Sequence, residues 1–192
     1  ADKKNSTKSY ALVLETFIII GSSILVLVVA SLDVLKVIFI GDPEYWQALY
    51  IVPIILLANF CLGIYQNLSV WYKVTDKTKF AAYISSLGAI ITLLLNIILI
   101  PKFSYLGSAI ATLLAYFTMA LLSYYFGKKH YPIPYDLGKI MFYLVLSISL
   151  SSISFYGFRD NLFVGISCVL IMNLVILLKE KTRIKNLLKL IR

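Results

Sequence analysis

The sequence is poor in the residues that most enzyme sites need. Among 192 residues there is one histidine, His130, and there are two cysteines, Cys61 and Cys168. One histidine cannot complete a His/Cys metal site or a Ser-His-Asp triad, and no glycine-rich phosphate loop is present. Both cysteines fall inside apolar runs, where a small hydrophobic role is more usual than a disulfide. We therefore expect no catalytic residue, no metal and no cofactor, and predict that the chain is not an enzyme.

Charge is also scarce. Charged residues make up 14% of the chain and hydrophobic residues 60%, whereas a soluble domain is about 45–50% apolar. The net charge of +9 would suit nucleic acid, but the basic residues sit between apolar runs, where a membrane topology needs them. The composition indicates a protein that crosses a membrane several times, and it argues against nucleic acid as a partner.

Long apolar runs are what the sequence has in abundance. Each is about 20 residues long, the length of a helix that crosses about 30 Å of hydrocarbon. Helix also satisfies the backbone where no water is present. The predicted fold is therefore all-α and integral to the membrane, with six transmembrane helices. The six runs are Tyr10–Leu32 with an extension to Ile40, Trp46–Tyr72, Phe80–Ile100, Tyr105–Phe126, Leu137–Gly157 and Asn161–Leu178.

The Lys and Arg residues predict the orientation of these helices. All but three of the 18 fall at the termini and in the loops that share one side of the membrane, and the exceptions are Lys36, Lys102 and Arg159. Because cytoplasmic loops carry the excess of positive charge, both termini are predicted to be cytoplasmic. Aromatic residues at the ends of the runs, Trp71 and Tyr125 among them, are predicted to mark the inner headgroup level.

The longest connection, GKKHYPIPYDLGK, divides the chain. We assign residues 1–128 to a four-helix part, 129–139 to a cytoplasmic linker, 140–178 to two additional transmembrane helices and 179–192 to a basic amphipathic cytoplasmic tail. The tail suits either a helix lying on an anionic leaflet or a plain topology signal. The polar start without Met indicates a fragment of a longer protein, although loss of the initiator Met alone would also leave Ala first.

Charged residues in or beside the first run are candidates for function. Glu15 lies about one and a half turns inside the run, and a carboxylate at mid-depth costs about 2.5–3.5 kcal/mol on insertion scales. It either faces a substrate cavity, where it could exchange a proton, or reaches the interface or a partner on a neighbouring helix. Asp33 and Lys36, three residues apart, are predicted to form a solvated pair at the outer end.

Polar residues in the second and third runs are the other candidates for a substrate cavity. They either bind a neighbouring helix through hydrogen bonds worth about 0.6–2 kcal/mol or line a wet cavity. Pro53 is predicted to kink the second helix and favours the cavity, because kinked helices are common where a transport path opens and closes. Pro53 is therefore the predicted hinge. The five polar candidates are Asn59, Gln66, Asn67, Thr92 and Asn96.

Small residues in the fourth run are predicted to pack against another helix. Gly107, Ala111 and Ala115 recur every four residues, a spacing that lets two helix backbones approach closely in lipid. A serine face on the fifth run suits tight packing or a polar pore. Its members are Ser147, Ser151 and Ser154.

The third and fourth runs together carry a recognisable pattern. In LLLNIILIPKFSYLGSAIATLLAYF, Asn96 is followed by an apolar stretch, Pro101, a short turn, and a small-residue segment from Gly107 to Thr112. This order resembles the C-terminal region of polysaccharide flippases, the O-antigen and exopolysaccharide transporters of the MATE-like multidrug/oligosaccharidyl-lipid/polysaccharide superfamily. The stretches FIGDPEYWQA, YKVTDKTK and YPIP add to the resemblance, which extends over residues 16–134.

The resemblance implies both a fold and a function. Such proteins have two six-helix lobes around a central cavity, often with two extra helices, and they move undecaprenyl-diphosphate-linked oligosaccharide from the inner to the outer leaflet by alternating access. This chain would form the last four helices of the second lobe and the two extra helices, in the plasma membrane of a bacterium. The implied partners are that substrate, membrane lipid, the missing N-terminal lobe and the glycan polymerase machinery. Every Lys and Arg lies near a membrane face, so the family's basic cavity residues have no counterpart.

Two other hypotheses stay open. One is an ion-coupled multidrug exporter of the same superfamily, and the other is a membrane-embedded scaffold or assembly subunit that moves nothing. Upstream apolar helices with intramembrane Arg or Lys would favour the flippase, whereas an upstream soluble domain would favour the scaffold.

Overall fold

The structure, a computed structural model, describes residues 2–40, 42–159 and 161–181. Within these residues it consists of helices without strands, and six helical spans are long and apolar enough to cross a membrane. The predicted all-α fold with six candidate transmembrane helices is confirmed. The spans are Asn5–Ala30, Trp46–Val74, Lys79–Phe103, Tyr105–His130, Leu137–Gly157 and Leu162–Lys179.

Shorter helical elements make up these spans. A 3-10 helix, Pro43–Ile51, and a π-helical turn, Ile153–Gly157, accompany the α-helices. From residue 182 onward the predicted amphipathic tail lies outside the described residues. The α-helices are α1 (Asp2–Ala30), α2 (Leu32–Phe39), α3 (Val52–Leu68), α4 (Val70–Val74), α5 (Lys79–Phe103), α6 (Tyr105–His130), α7 (Leu137–Ser152) and α8 (Leu162–Lys179).

The second span is divided into three helical pieces. The 3-10 helix passes into α3 at Val52, and Pro53 lies in the first turn of α3, where a missing N–H removes no α-helical hydrogen bond. The sequence predicts a kink at Pro53, and the structure has a change of helix type beside it. A hinge at this residue stays a prediction. Ser69 separates α3 from α4, and its hydroxyl donates to the Gln66 carbonyl at 2.6 Å.

Side-chain caps explain where α7 and α8 begin. The Asp136 carboxylate accepts a hydrogen bond from the Lys139 backbone N–H at 3.0 Å, and the Asn161 side-chain oxygen accepts one from the Phe163 N–H at 3.1 Å. Asp and Asn are favoured at such positions because the first turn of a helix has N–H groups without an intrahelical partner. Each helix therefore starts at the polar residue that closes its loop.

The chain forms two compact units. The first takes in the chain up to Ile18 and from Glu44 to Ile140, and the second takes in Ile19–Pro43 and the chain from Met141 onward. The C-terminal segment of the second unit begins at Met141, next to the predicted boundary at residue 140. The second unit also includes residues 19–43, which the sequence assigns to the four-helix part.

In the first unit α6 packs against both α3 and α5. The three predicted packing residues Gly107, Ala111 and Ala115 are all buried. A Cβ atom on Gly107 would lie 2.5 Å from the backbone oxygen of Leu99. Only a glycine permits this approach, so the small-residue face brings the backbones of α5 and α6 together.

A single residue, Ser104, joins α5 to α6. Its φ of 50° lies in the left-handed region that a serine rarely adopts. Its N–H donates to the Ile100 carbonyl at 2.8 Å, which closes the last turn of α5. The predicted hairpin is present, and α5 continues through Pro101 to Phe103 rather than stopping at the proline.

In the second unit the end of α1 packs against α7 and α8. The Ser22 hydroxyl donates to the Tyr143 carbonyl at 3.4 Å, and a Cβ on Gly165 would lie 3.2 Å from the Ala30 carbonyl oxygen. The predicted serine face of α7 and the following π-helical turn is buried. Its residues Ser147, Ser151 and Ser154 are between 0% and 6% exposed.

Candidate functional site

Two of the three polar candidates on α3 donate a hydrogen bond to the backbone of their own helix. The Asn59 amide donates to the Ile55 carbonyl at 3.0 Å, and the Asn67 amide donates to the Gly63 carbonyl at 2.9 Å. Gln66 is exposed at the surface of the first unit. A side chain that bonds to its own backbone four residues earlier can face lipid at reduced cost. The place of these three candidates in a substrate cavity stays a prediction.

On α5 the two candidates differ. The Thr92 hydroxyl donates to the Gly88 carbonyl at 2.9 Å, again within its own helix. The side-chain oxygen of Asn96 is buried and accepts no hydrogen bond from the described part of the chain. An unsatisfied acceptor away from water costs about 1–3 kcal/mol. Among the predicted cavity residues, Asn96 is thus the one with a buried side-chain oxygen that has no hydrogen-bond partner within the described residues.

Glu15 forms an ion pair with Lys139. Its Oε2 lies 3.6 Å from the Lys139 Nζ, and the two side chains are 17% and 27% exposed. The sequence leaves open whether Glu15 faces a cavity, reaches the interface or pairs with a neighbouring helix. In the structure it pairs with a residue of a neighbouring helix. The ion pair joins α1 to α7 within the first unit and offsets the cost of placing either charge in an apolar span.

The only histidine belongs to an aromatic cluster in the first unit. The His130 ring stacks on Trp71 with centroids 5.4 Å apart and an angle of 11° between planes. The Trp71 indole N–H donates to the Ser123 carbonyl at 3.0 Å, and Trp71 is 1% exposed. Trp71 therefore contacts protein instead of lipid headgroups, unlike Tyr125, which is 66% exposed.

A cavity of about 190 Å³ lies in the second unit, where α1 and α2 meet the connection between α7 and α8. Val29 and Phe155 form part of its apolar lining, and Ser154 adds a hydroxyl. Ser154 and Phe155 belong to the π-helical turn. Such turns are rare and are found frequently at functional sites because they widen a helix and redirect its side chains.

Three charged side chains line this cavity. Lys36 Nζ lies 2.5 Å from the Asp33 Oδ1, and Arg159 Nε lies 3.6 Å from the same oxygen. The three side chains are 19%, 31% and 18% exposed in the order Lys36, Asp33, Arg159. The guanidinium of Arg159 also lies 4.6 Å from the centre of the Phe155 ring. Among the described residues, the charged lining of the cavity consists of two cations and one carboxylate.

The sequence predicts the ion pair of Asp33 with Lys36, and the structure confirms it. The pair is half-buried, however, and it belongs to a cluster with Arg159. Nothing in the spacing links Arg159 to residues more than a hundred positions earlier. The one sequence signal is the charge pattern, since Lys36 and Arg159 are two of the three basic residues that the sequence assigns to the side with fewer positive charges.

Comparison with protein-family profiles, curated proteins and solved structures returns no match for this chain. The residues themselves therefore carry the functional argument.

Proposed function

We propose that the chain belongs to a transporter that moves a lipid-linked oligosaccharide across the plasma membrane of a bacterium. In this proposal it is the C-terminal part of a polysaccharide flippase that works by alternating access in the biosynthesis of a surface polysaccharide such as lipopolysaccharide. The substrate is an undecaprenyl-diphosphate-linked oligosaccharide, an N-terminal lobe of the same protein completes the cavity, and glycan polymerase machinery takes up the product.

One observation carries the proposal: the pattern of the α5–α6 hairpin. Asn96, Pro101 and Gly107 follow one another in the order of the flippase family. Each has a definable physical part, because Gly107 allows the helices to touch and Pro101 lies in the last turn before the connection. Asn96 is left with a buried acceptor that the described residues do not satisfy, which suits a substrate hydroxyl or a water molecule.

The charge distribution supports an orientation for this transporter. With both termini in the cytoplasm, the loops after α4 and α6 lie inside and the α5–α6 connection lies outside. Lys102 and the pair Lys36 and Arg159 are then the basic residues at the outer face. Because Lys and Arg are retained on the cytoplasmic side during insertion, the opposite orientation would expose most of the positive charge on the wrong side.

The test is complementation of a glycan-export mutant that lacks its own flippase. The complete gene that contains this sequence should restore surface polysaccharide, measured by glycan staining of whole cells. Absence of restoration, with the protein present at normal abundance in the membrane, would contradict the proposal.

A matched pair of variants examines the part given to Asn96. Replacing Asn96 with leucine should lower export about tenfold at unchanged protein abundance, the loss expected from one hydrogen bond of about 1.4 kcal/mol. Thr118→Val is the control, since the exposed Thr118 hydroxyl on α6 donates to the Leu114 carbonyl of its own helix at 2.7 Å. Equal export by both variants would remove Asn96 from the transport path.

A scaffold without transport activity is the second candidate. It is favoured by the side chains of Asn59, Asn67 and Thr92, which donate to carbonyls of their own helices and so need no substrate as a partner. The same complementation assay separates the two candidates, because a scaffold would not restore export in a strain that lacks only the flippase.

A further inference from the structure

A polar side chain lies on the outer surface of the second unit, inside a membrane span. Asn173 of α8 is exposed, and its side-chain oxygen accepts a hydrogen bond from the Ser23 hydroxyl of α1 at 3.1 Å. It lies about 9 Å along the helix axis from the end of the span at Lys179. Contact with lipid is costly for a carboxamide, because hydrocarbon offers no hydrogen bonds. A polar partner that covers Asn173 would remove this cost.

The hydrogen bonds of Asn173 define what such a partner must offer. Its Nδ2 donates to the Val169 carbonyl at 2.9 Å, and its Oδ1 accepts from Ser23. A carboxamide has two N–H donors and two acceptor positions, so one donor and one acceptor position remain within the described residues. A second carboxamide presents the same two groups and can exchange two hydrogen bonds with the first. The best match for Asn173 is therefore another side-chain amide at the same depth.

The residues around Asn173 have the spacing of a helix that pairs with a second helix. Exposed apolar residues precede and follow it at alternating intervals of three and four positions, on the side of α8 away from its buried residues. This repeat keeps one row of side chains against a partner helix at the crossing angle of about 20° that is common in membranes, and one Asn in the row fixes the register. We call this row the α8 seam, and its members are Phe163, Ile166, Leu170, Asn173 and Leu177.

A second copy of the chain supplies the matching amide. Two copies follow the same charge rule during insertion, so their α8 helices run parallel and place Asn173 at the same depth. A two-fold symmetric dimer uses the same surface on both copies. Asn173 of one copy then faces Asn173 of the other, and each amide donates to the oxygen of its counterpart.

We propose that the α8 seam is a homodimer interface, in which the Asn173 side chains of two parallel α8 helices exchange a reciprocal pair of hydrogen bonds. This inference goes beyond the proposed function, since it concerns the second unit alone and applies equally to a transporter and to a scaffold.

Energy transfer between fluorescently labelled copies tests for the dimer. The complete protein that contains this chain is reconstituted into phosphatidylcholine liposomes over a range of protein-to-lipid ratios. Transfer should follow a monomer–dimer curve, and Asn173→Leu should raise the dissociation constant about tenfold through loss of the interhelical hydrogen bonds. Transfer no greater than random proximity at every ratio would show that lipid or a different protein covers the seam, and it would overturn the proposal.

Two isoleucines on α8 form a matched pair of controls. Ile166 lies in the seam and Ile171 lies outside it, and the two are 49% and 47% exposed. Ile166→Ala should weaken the dimer several-fold, whereas Ile171→Ala should leave it unchanged. Equal effects of the two variants would refute the seam as the interface.

Ser23→Ala separates dimerisation from packing within one copy. It removes the contact of Asn173 with α1 and leaves the amide intact, so the dissociation constant should not rise. If Asn173 acts only by holding α1 against α8, Ser23→Ala should weaken the dimer as much as Asn173→Leu does, and that result would contradict the proposal.

Cysteine cross-linking locates the interface without a loss-of-function variant. Ile166→Cys should form a disulfide with its own counterpart on oxidation in the membrane, because a two-fold axis brings the same residue of both copies together. Ile171→Cys should stay at the background of the unsubstituted protein, in which Cys61 and Cys168 are buried. Cross-linking at position 171 as strong as at position 166 would overturn the assignment of the seam.

Discussion

At the scale of single residues, Gly107 sets the distance between two helices. Its missing side chain lets the backbone of α6 approach the Leu99 carbonyl of α5. Gly107→Ala should therefore force the helices apart and lower the free energy of unfolding by about 1–3 kcal/mol. Thermal unfolding in detergent measures the change.

Gly157 supplies the control for this substitution. A Cβ atom at Gly157 meets no heavy atom within 4 Å, so Gly157→Ala should change the stability by less than about 0.5 kcal/mol. If both alanine variants unfold at the same temperature, the close approach at Gly107 does not contribute to stability.

At Ser104, in contrast, the presence of a side chain destabilises the backbone conformation that the fold requires. Its φ of 50° costs a non-glycine residue about 1–3 kcal/mol. Ser104→Gly should relieve this strain and raise the midpoint temperature of unfolding, despite the larger entropy that glycine loses on folding. Ser108→Gly, inside α6, should instead lower the midpoint, because glycine costs about 0.8–1 kcal/mol within a helix. A lower midpoint for both variants would contradict the strain at Ser104.

At the scale of elements, the ion pair of Glu15 and Lys139 joins α1 to α7 in the first unit. Glu15→Gln should lower the free energy of unfolding by about 1 kcal/mol, because Lys139 keeps its charge and loses a partner. Exchanging the two residues, Glu15→Lys with Lys139→Glu, should restore most of that loss. A double-mutant cycle on unfolding in detergent measures the coupling, and a coupling energy of zero would show that the pair makes no net contribution.

The elements also show which features a sequence can predict. The six spans follow from apolar runs of sufficient length, because hydrocarbon leaves a helix little alternative. The division of the second span at Ser69 was not predicted, since a serine hydroxyl that bonds to a backbone carbonyl has no distinctive spacing. Pro53 was predicted to kink the second span, whereas the structure places it in the first turn of α3, directly after a 3-10 helix that proline alone does not specify.

The candidate site likewise contains contacts between residues close in the sequence, which can be predicted, and contacts between residues far apart in the sequence, which cannot. Asp33 and Lys36 were predicted as a pair because helical spacing of three residues brings side chains together. Arg159 joins them only through the packing of α1 and α2 with the α7–α8 connection, and a single sequence carries no record of that packing. Trp71 was expected at the lipid interface, but a nearby carbonyl of α6 satisfies its indole N–H inside the protein.

At the scale of the whole molecule, the distribution of Lys and Arg predicts the orientation in the membrane. Topology reporters fused after Lys129 and after Asp160 should report the cytoplasm and the exterior respectively, because the basic residues concentrate in the loops next to the first position. A fusion at Lys102 gives a second exterior point. An exterior signal after Lys129 with a cytoplasmic signal after Asp160 would contradict the cytoplasmic termini. Signals from the same side of the membrane at these two fusions would contradict six membrane crossings.

The one-residue connection at Ser104 also constrains how the protein is made. During synthesis on the ribosome, an apolar helix can enter the membrane separately from the next helix only if a loop lies between the two. Here α6 follows α5 without such a loop, so we expect the two helices to leave the translocon as a preformed pair. With the termini in the cytoplasm, as the charge pattern predicts, Lys102 would cross the membrane at this step. We therefore expect α5 to complete its insertion only after α6 has been synthesised.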